Sequence, residues 1–418
     1  MNAALFGAIS HSQSFKMPDS HFIALEPLLN NQERVLGYEL RWHGAADTAP
    51  DDNAALELVR CVHEHLRDDE TASLLGEQRV FVEVTPALLE PSVLALLPAQ
   101  GTVLILRGDA LASEETIAAV AKARAQGYAF SVRDANPAAL DKQLLAQLSY
   151  AELRADRPDF LAQLQQWRAL GPAALQPVAR GVTDWERFDA CAAQNVFSFA
   201  GGLYLTPRPG ARARDLNPTQ TLILQLMEMV QKNADVKQLE SVLKRDAALS
   251  YKLLRYINSA GFGLGCEVQS LKHAVTMLGY APLYRWLGLL LATATTSGYS
   301  PVLMQTAVIR GRFAELLGAG FLPKQEAENL FVAGMFSLLD KLLGVPMEMV
   351  LEKIQLSEPI TQALLTREGI YGPFLAMAEA CESDESDLDG MATSLCVEAS
   401  DVNRAQLSAL AWTRTLQL

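Results

Sequence analysis

Short apolar runs recur through the first half of the chain, and segments of helical pattern separate them. The runs lie at residues 22–28, 80–84, 103–106, 128–132, 151–154, 176–179 and 196–199. Apolar runs of this length are typical of buried strands in a parallel sheet. Their alternation with helices predicts β/α units, and the number of units suits a TIM-type (β/α) barrel. Because such barrels typically need about 250 residues, we expect some elements to be trimmed.

The pattern becomes helical throughout the second half. Residues 208–216 hold a proline, a glycine and three arginines, which predicts a linker. Asn217 and Pro218 then mark the start of a helix. The predicted fold class is therefore α/β plus all-α. The predicted regions are a mobile N-terminal arm at 1–21, a barrel at 22–207, the linker at 208–216, and a helical domain with a C-terminal helical extension at 217–418.

Short motifs in the first half follow one another in a characteristic order. They are Leu25-Glu26-Pro27-Leu28, Gly37-Tyr38-Glu39-Leu40-Arg41-Trp42, Val82-Glu83-Val84-Thr85-Pro86, Val132-Arg133-Asp134, Arg154-Ala155-Asp156 and Arg180-Gly181-Val182-Thr183. In this order they resemble the signatures of EAL domains, the fold of cyclic-di-GMP phosphodiesterases. The second motif is two residues shorter than the family's. The resemblance implies that Glu39 stands at the first metal-ligand position and Arg41 at the position that contacts the ligand phosphate.

Other positions that the resemblance assigns to metal ligands carry different residues. They are Glu83, Ile105, Arg133, Arg180 and Ala200. Hydrolysis of a phosphodiester by two divalent cations needs a cluster of hard carboxylate ligands. Since acidic ligands are missing and two arginines are added, we expect a degenerate EAL domain with no catalytic residues, no metal and no cofactor.

The second half carries a longer signature, in residues 246–260, 270–279 and 285–287. These segments resemble HDOD domains, which are relatives of the HD phosphohydrolases, as they occur fused to degenerate EAL domains. Where an active HD enzyme has a His-Asp pair, this chain has Ser337-Leu338, and His273 is the only histidine of this half. The resemblance implies a helical domain without a metal cluster.

The sequence leaves two kinds of residual site at the barrel mouth undecided. The candidate cation ligands are Glu39, Glu83 and Asp134. The candidate contacts for an anion or a nucleotide phosphate are Arg41, Arg133 and Arg180. The alternative is that Arg133 and Arg180 form internal salt bridges with Glu83 and Asp134.

Charge and composition narrow the range of partners. The net charge of −13 argues against general nucleic-acid binding, which needs a basic surface. The five scattered cysteines favour reduced thiols in the cytoplasm. We find no signal peptide and no apolar run long enough to span a bilayer, so no membrane insertion is expected. Residues 379–389 hold six acids and no base, which predicts a solvated loop.

These features predict a catalytically inactive, cytoplasmic signalling protein that acts through contacts with other proteins. The resemblance implies cyclic-di-GMP-linked or two-component regulation of motility, biofilm or virulence. The expected partner is a kinase, a response regulator or a cyclase, and a homo-oligomer is possible. Two alternatives are a nucleotide receptor that does not hydrolyse its ligand and a phosphodiesterase with altered metal chemistry.

Overall fold

The structure is a computed structural model. It describes residues 21–45, 48–66, 78–206, 208, 217–258, 268, 270–293, 301–354, 356–384 and 386–416. Of the predicted N-terminal arm, only His21 lies within these ranges. Of the predicted linker, only Arg208 does.

Eight strands form a closed barrel in chain order, which confirms the predicted architecture. They are β1 Ile23–Leu29, β2 Val35–Trp42, β3 Arg79–Glu83, β4 Thr102–Arg107, β5 Ala129–Arg133, β6 Tyr150–Arg154, β7 Gln176–Arg180 and β8 Ser198–Ala200. Strand β1 pairs antiparallel with both β2 and β8. The other neighbours pair in parallel, so β2 to β8 all end at the same mouth of the barrel.

The helices around the barrel vary greatly in length. They are α1 Asp52–Leu66, α2 Pro91–Leu94, α3 Glu114–Ala125, α4 Lys142–Leu145, α5 Phe160–Leu170 and α6 Trp185–Ala193. Helices α2 and α4 have only four residues each. Strands β1 and β2 are joined by a short turn instead of a crossover helix. These short connections are the trimming that the length of the region predicts.

The barrel interior has an apolar layer and a charged layer. The apolar layer is Leu28, Phe81, Val103, Ile105, Tyr150, Val178 and Ala200, all buried in one cluster. Side chains two residues apart on a strand share a face. Glu83, Glu152 and Arg180 follow members of this layer by two residues, so they point inward one level closer to the mouth. The fold therefore gathers charged side chains at the carboxyl ends of the strands.

The second half is helical, as predicted. Its helices are α7 Pro218–Gln231, α8 Val236–Leu243, α9 Ala247–Ile257, α10 Leu271–Leu278, α11 Tyr280–Thr293, α12 Pro301–Gly318, α13 Lys324–Phe336, α14 Leu339–Leu343, α15 Met347–Lys353, α16 Glu358–Thr366, α17 Gly372–Ala380, α18 Leu388–Leu395 and α19 Ala399–Thr415. Within the described ranges, no helix combines the length and apolarity needed to cross a membrane.

The two halves share a packed interface. Leu407, Leu410 and Ala411 of α19 are buried in the apolar layer outside the barrel, together with Val302 of α12. The Asn403 side chain also accepts a hydrogen bond from the Ile23 backbone N–H at 2.8 Å. Helix α19 is therefore fixed against the first barrel strand.

Helices α12 and α13 are in close contact at Gly311 and Gly334. A Cβ atom on Gly334 would lie 2.7 Å from Gly311 Cα and 2.8 Å from the Arg310 carbonyl oxygen. Because this neighbour is backbone, it cannot rotate away. We expect Gly334→Ala to lower the free energy of unfolding by about 1–3 kcal/mol, the usual cost of overpacking. Urea unfolding measures the change, with Gly320→Ala as the control because its Cβ would meet nothing within 4 Å. Equal losses in the two variants would contradict this packing.

Candidate functional site

Arg133, at the end of β5, is the centre of a buried ion-pair network. Its Nε donates to Glu152 Oε2 at 2.7 Å, its Nη1 to Glu83 Oε2 at 2.6 Å, and its Nη2 to Glu39 Oε1 at 2.8 Å. Its side chain is 4% exposed, and those of Glu39 and Glu152 are 3% exposed. One guanidinium group therefore binds three carboxylates from three other strands.

Arg180, at the end of β7, supplies the second buried cation. Its Nη1 donates to Glu39 Oε2 at 2.5 Å and to Glu152 Oε2 at 3.2 Å. Its Nη2 lies 3.7 Å from Glu26 Oε2 on β1. Ser131 Oγ donates to the other oxygen of Glu152 at 2.8 Å. Each buried carboxylate thus has at least two donors, which offsets the cost of removing its charge from water.

The network continues outward to the rim on the β4 side. Arg107 Nε donates to Glu83 Oε1 at 2.6 Å, and Arg107 Nη1 lies 3.4 Å from Asp134 Oδ2. Asp134 comes directly after β5, in the left-handed region at φ 50°, and its side chain is 38% exposed. Arg157 reaches Asp134 at 3.9 Å.

The buried charges stay ionised because they lie next to one another. Burial raises the pKa of Glu39, but the attraction of Arg133 and Arg180 outweighs it and brings the pKa from 4.5 to about 2. Burial lowers the pKa of Arg133, and Glu152, Glu39 and Glu83 more than compensate, so the net shift is upward. At neutral pH the network therefore holds full charges of both signs.

The predicted cation ligands do not form one cluster. Glu39 and Glu83 are both bound to Arg133, whereas Asp134 lies at the rim and connects to Glu83 only through Arg107. The alternative of internal salt bridges is confirmed for Arg133 with Glu83. It is wrong for Arg180, which pairs with Glu39, Glu152 and Glu26 instead of Asp134.

The divalent cations that EAL domains use do not fit the arrangement seen here. Carboxylate oxygens are the right ligands for such ions. However, guanidinium groups occupy the three buried carboxylates, and Arg133 stands between them. Among the residues that the structure describes, no group of three acidic, histidine or cysteine side chains could hold a metal ion.

Several members of the network were missed in the sequence. Glu152 and Glu26 match no ligand position of the resemblance, and Arg107 directly follows the apolar run at 103–106. Strand alternation could have found Glu152, because it lies two residues before Arg154 and two after the buried Tyr150.

Arg41, the third candidate anion contact, reaches into the helical half. Its Nη1 and Nη2 each donate to one oxygen of Asp384 at 2.6 Å, and its Nε lies 3.5 Å from Glu26 Oε2. Burial raises the pKa of Asp384, but the hydrogen bonds and charge of Arg41 lower it by more. Asp384 is exposed in the turn between α17 and α18, as predicted for a solvated loop, although its carboxylate is paired with Arg41. The prediction is wrong at the ends of the segment, because Glu379 lies in α17 and Asp389 in α18.

The acidic segment also forms ion pairs with Arg310 in the helical half. Arg310 of α12 pairs with Glu379 at 2.8 Å and with Glu382 at 2.7 Å. The same guanidinium donates to Ser337 Oγ at 2.7 Å. The resemblance to HD enzymes places a histidine at the position of Ser337, and in this chain an arginine and two carboxylates lie beside it.

Comparison with known proteins supports the two-part organisation. Residues 216–355 match the HDOD domain family. The cyclic di-GMP phosphodiesterase CdgJ of Vibrio cholerae is 24% identical over 94% of this chain and 93% of its own. YuxH of Bacillus subtilis is 25% identical over 94% of this chain and 98% of its own. The chain therefore has the EAL–HDOD architecture that its motifs predict.

Solved structures similar to the barrel half are EAL domains. The EAL domain of FimX from Xanthomonas citri is 15% identical, with a TM-score of 0.36, over 44% of this chain and 86% of that one. The phosphodiesterase PaMucR is 14% identical, with a TM-score of 0.35, over 46% of this chain and 97% of that one.

The prediction of a catalytically inactive protein that is not an enzyme is contradicted by the likeness to CdgJ. That relative is named as a phosphodiesterase, and the likeness extends through both halves. The prediction counted lost ligands one position at a time. It therefore overlooked Glu152, which brings a third buried carboxylate to the barrel mouth beside Glu39 and Glu83.

Proposed function

We propose that this protein is a cytoplasmic cyclic-di-GMP phosphodiesterase with its active site at the carboxyl ends of the barrel strands. The observation that carries the proposal is the likeness to CdgJ along 94% of the chain. The site is also where barrels of this type place their catalytic groups. Its arginines suit a substrate with two phosphodiester charges.

A polar cleft at the barrel mouth offers donors to such a substrate. Its lining residues are Arg107, Arg133, Asp134, Glu152, Leu153, Arg154 and Arg180. Arg107 Nη2 is buried and has no hydrogen-bond partner among the described residues. A buried donor without a partner is costly, and a phosphate oxygen would satisfy it.

The hydrolysis adds one water to one phosphodiester. The water oxygen forms a bond to phosphorus, the bond from phosphorus to the 3′ oxygen breaks, and that oxygen leaves as an alcohol with a proton from the water. Arg107 and its neighbours stabilise the negative charge on the phosphate oxygens in the transition state.

Glu83 is the best placed carboxylate to orient the attacking water. Its side chain is 8% exposed, against 3% for Glu39 and Glu152. Its Oε1 accepts a hydrogen bond from Arg107 and its Oε2 accepts one from Arg133, which leaves a lone pair on each oxygen for a water molecule. Glu39 suits the role less well because a pKa of about 2 makes it a weak base.

Conversion of cyclic-di-GMP to its linear dinucleotide, quantified by chromatography, tests the proposal. We expect Glu83→Gln to lower kcat by about 100-fold, the usual loss when a group that assists proton transfer is removed. The exposed Glu64→Gln, which makes the same chemical change on α1, should keep the wild-type rate. Since arginines carry the positive charge here, chelation of divalent cations should change the wild-type rate little.

The absence of linear product from the wild-type protein, with or without added Mn²⁺, would reject this function. A Glu83→Gln rate equal to that of the wild type would reject the role of Glu83 in orienting the water. A contact of the helical half with a kinase, a response regulator or a cyclase stays a prediction of the sequence.

A further inference from the structure

Asp384 of the helical half occupies a set of donors at the barrel rim. Arg41 Nη1 and Nη2 hold its two oxygens at 2.6 Å each, and the Gly44 backbone N–H donates to Oδ1 at 3.0 Å. The neighbouring Ser383 carbonyl oxygen accepts from His43 Nε2 at 2.6 Å. A guanidinium fork and a backbone N–H together make a site for an anion.

This rim site is connected to the centre of the barrel. Arg41 shares Glu26 with Arg180, and Arg180 binds the buried Glu39. On its other side, the segment that carries Asp384 is held by the ion pair of Glu382 with Arg310. The segment from Glu382 to Asp384 therefore links an arginine of each half.

The occupant is less buried than the site that holds it. The Asp384 side chain is 31% exposed, whereas the Arg41 side chain is 12% exposed. A carboxylate at this depth can leave its partner at modest cost, because solvent screens the pair. The Arg41 guanidinium, in contrast, is held in place by Glu26 and by the Trp42 carbonyl oxygen, to which Nη1 donates at 3.3 Å.

We propose that Asp384 is an internal occupant of the position at Arg41 and the Gly44 N–H, which the EAL resemblance already assigns to a ligand phosphate, and that a phosphate of the cyclic dinucleotide displaces it. The inference rests on the proposed function, and it adds a regulation of the same site by the helical half. A guanidinium fork binds a carboxylate and a phosphate by the same two-point geometry. Because both anions need the same donors, ligand binding and release of the segment that carries Asp384 are coupled.

The coupling determines how the affinity should change when the occupant is weakened. A ligand binds less tightly by the fraction of molecules in which its site is open. Asp384→Asn keeps the side-chain size and removes the charge, so the open fraction rises. We expect the Kd and the KM for cyclic-di-GMP to fall by about 3- to 10-fold, near the lower end of typical couplings between sites, with kcat unchanged.

Calorimetric titration with cyclic-di-GMP and the hydrolysis assay test this expectation on the full chain. Asp389→Asn is the matched control, because Asp389 is an exposed acid of the same segment. The double variant Arg41→Ala with Asp384→Asn tests whether Asp384 affects ligand binding through Arg41. If Asp384 acts only by occupying Arg41, Asp384→Asn should have no effect on the Kd once Arg41 is absent. Circular dichroism checks that each variant is folded.

The possible outcomes separate this inference from the proposed function. Tighter binding by Asp384→Asn alone, lost in the double variant, supports it. An unchanged Kd in Asp384→Asn, beside weaker binding in Arg41→Ala, overturns it and leaves the phosphodiesterase function standing. Neither binding nor turnover in any variant rejects the function, and the inference falls with it.

Discussion

Replacing Arg133 with methionine should lower the free energy of unfolding by about 3–5 kcal/mol, the usual cost of removing one partner from a buried ion pair. Methionine keeps much of the length of the side chain but none of its donors. Glu39, Glu83 and Glu152 would each lose a hydrogen bond while remaining buried. The pKa of Glu39 should rise because the charge and hydrogen bond of Arg133 are lost, so the deficit relative to the wild type should shrink as the pH is lowered.

Urea unfolding followed by tryptophan fluorescence measures this effect, because Trp42, Trp167 and Trp185 all lie in the barrel half. Arg404→Met is the matched control. The Arg404 side chain is 65% exposed and pairs with Asp401 on the same helix at 3.5 Å. The control should stay within about 0.5 kcal/mol of the wild type. A loss in Arg133→Met no larger than in the control would show that the three carboxylates do not depend on this cation.

The second large effect concerns the dependence of stability on pH. The pKa of Glu39 falls from 4.5 to about 2 on folding. A carboxylate with a lowered pKa contributes stability that is present above its unfolded pKa and is lost as the pH falls toward its folded pKa. The stability that Glu39 contributes is therefore lost as the pH falls from 4.5 to about 2. A shift of this size corresponds to about 3 kcal/mol, of which roughly 1 kcal/mol should already be lost at pH 3.5.

Glu39→Gln should be less stable than the wild type at pH 7 by about this amount, and the gap should narrow below pH 4.5. Unfolding free energies measured from pH 7 to pH 3.5 give the two curves. For the control Glu64→Gln, at an exposed position, the curve of unfolding free energy against pH should run parallel to that of the wild type. Parallel curves for Glu39→Gln and the wild type would mean that Glu39 is not held by Arg133 and Arg180.

The fold was predictable because apolar runs mark most of its strands. On β4, Val103 and Ile105 are buried in the barrel interior, and Leu104 and Leu106 are buried on the opposite face, so the apolar run is uninterrupted. Strand β2 is harder to find by this criterion. Its interior-facing Glu39 and Arg41 break the run, and only the motif around them marks the strand.

The site was only partly predictable because its function depends on pairing across the barrel. The sequence placed Glu39, Arg133 and Arg180 at the mouth, as found. It could not show that Arg133 binds Glu152, since this contact requires the register of neighbouring strands and the rotamer of a long side chain. Asp384 lies 343 positions after Arg41 in the chain, and no local pattern joins them.

The central claim is that arginines, rather than divalent cations, balance the carboxylates at the barrel mouth. Calorimetric titration of Mn²⁺ into the wild-type protein and into Arg133→Met tests it most directly. We predict no saturable binding to the wild type up to millimolar Mn²⁺, and binding with a gain in stability in Arg133→Met, where the freed carboxylates become ligands. Binding of two Mn²⁺ ions to the wild-type protein at micromolar concentration would contradict the claim.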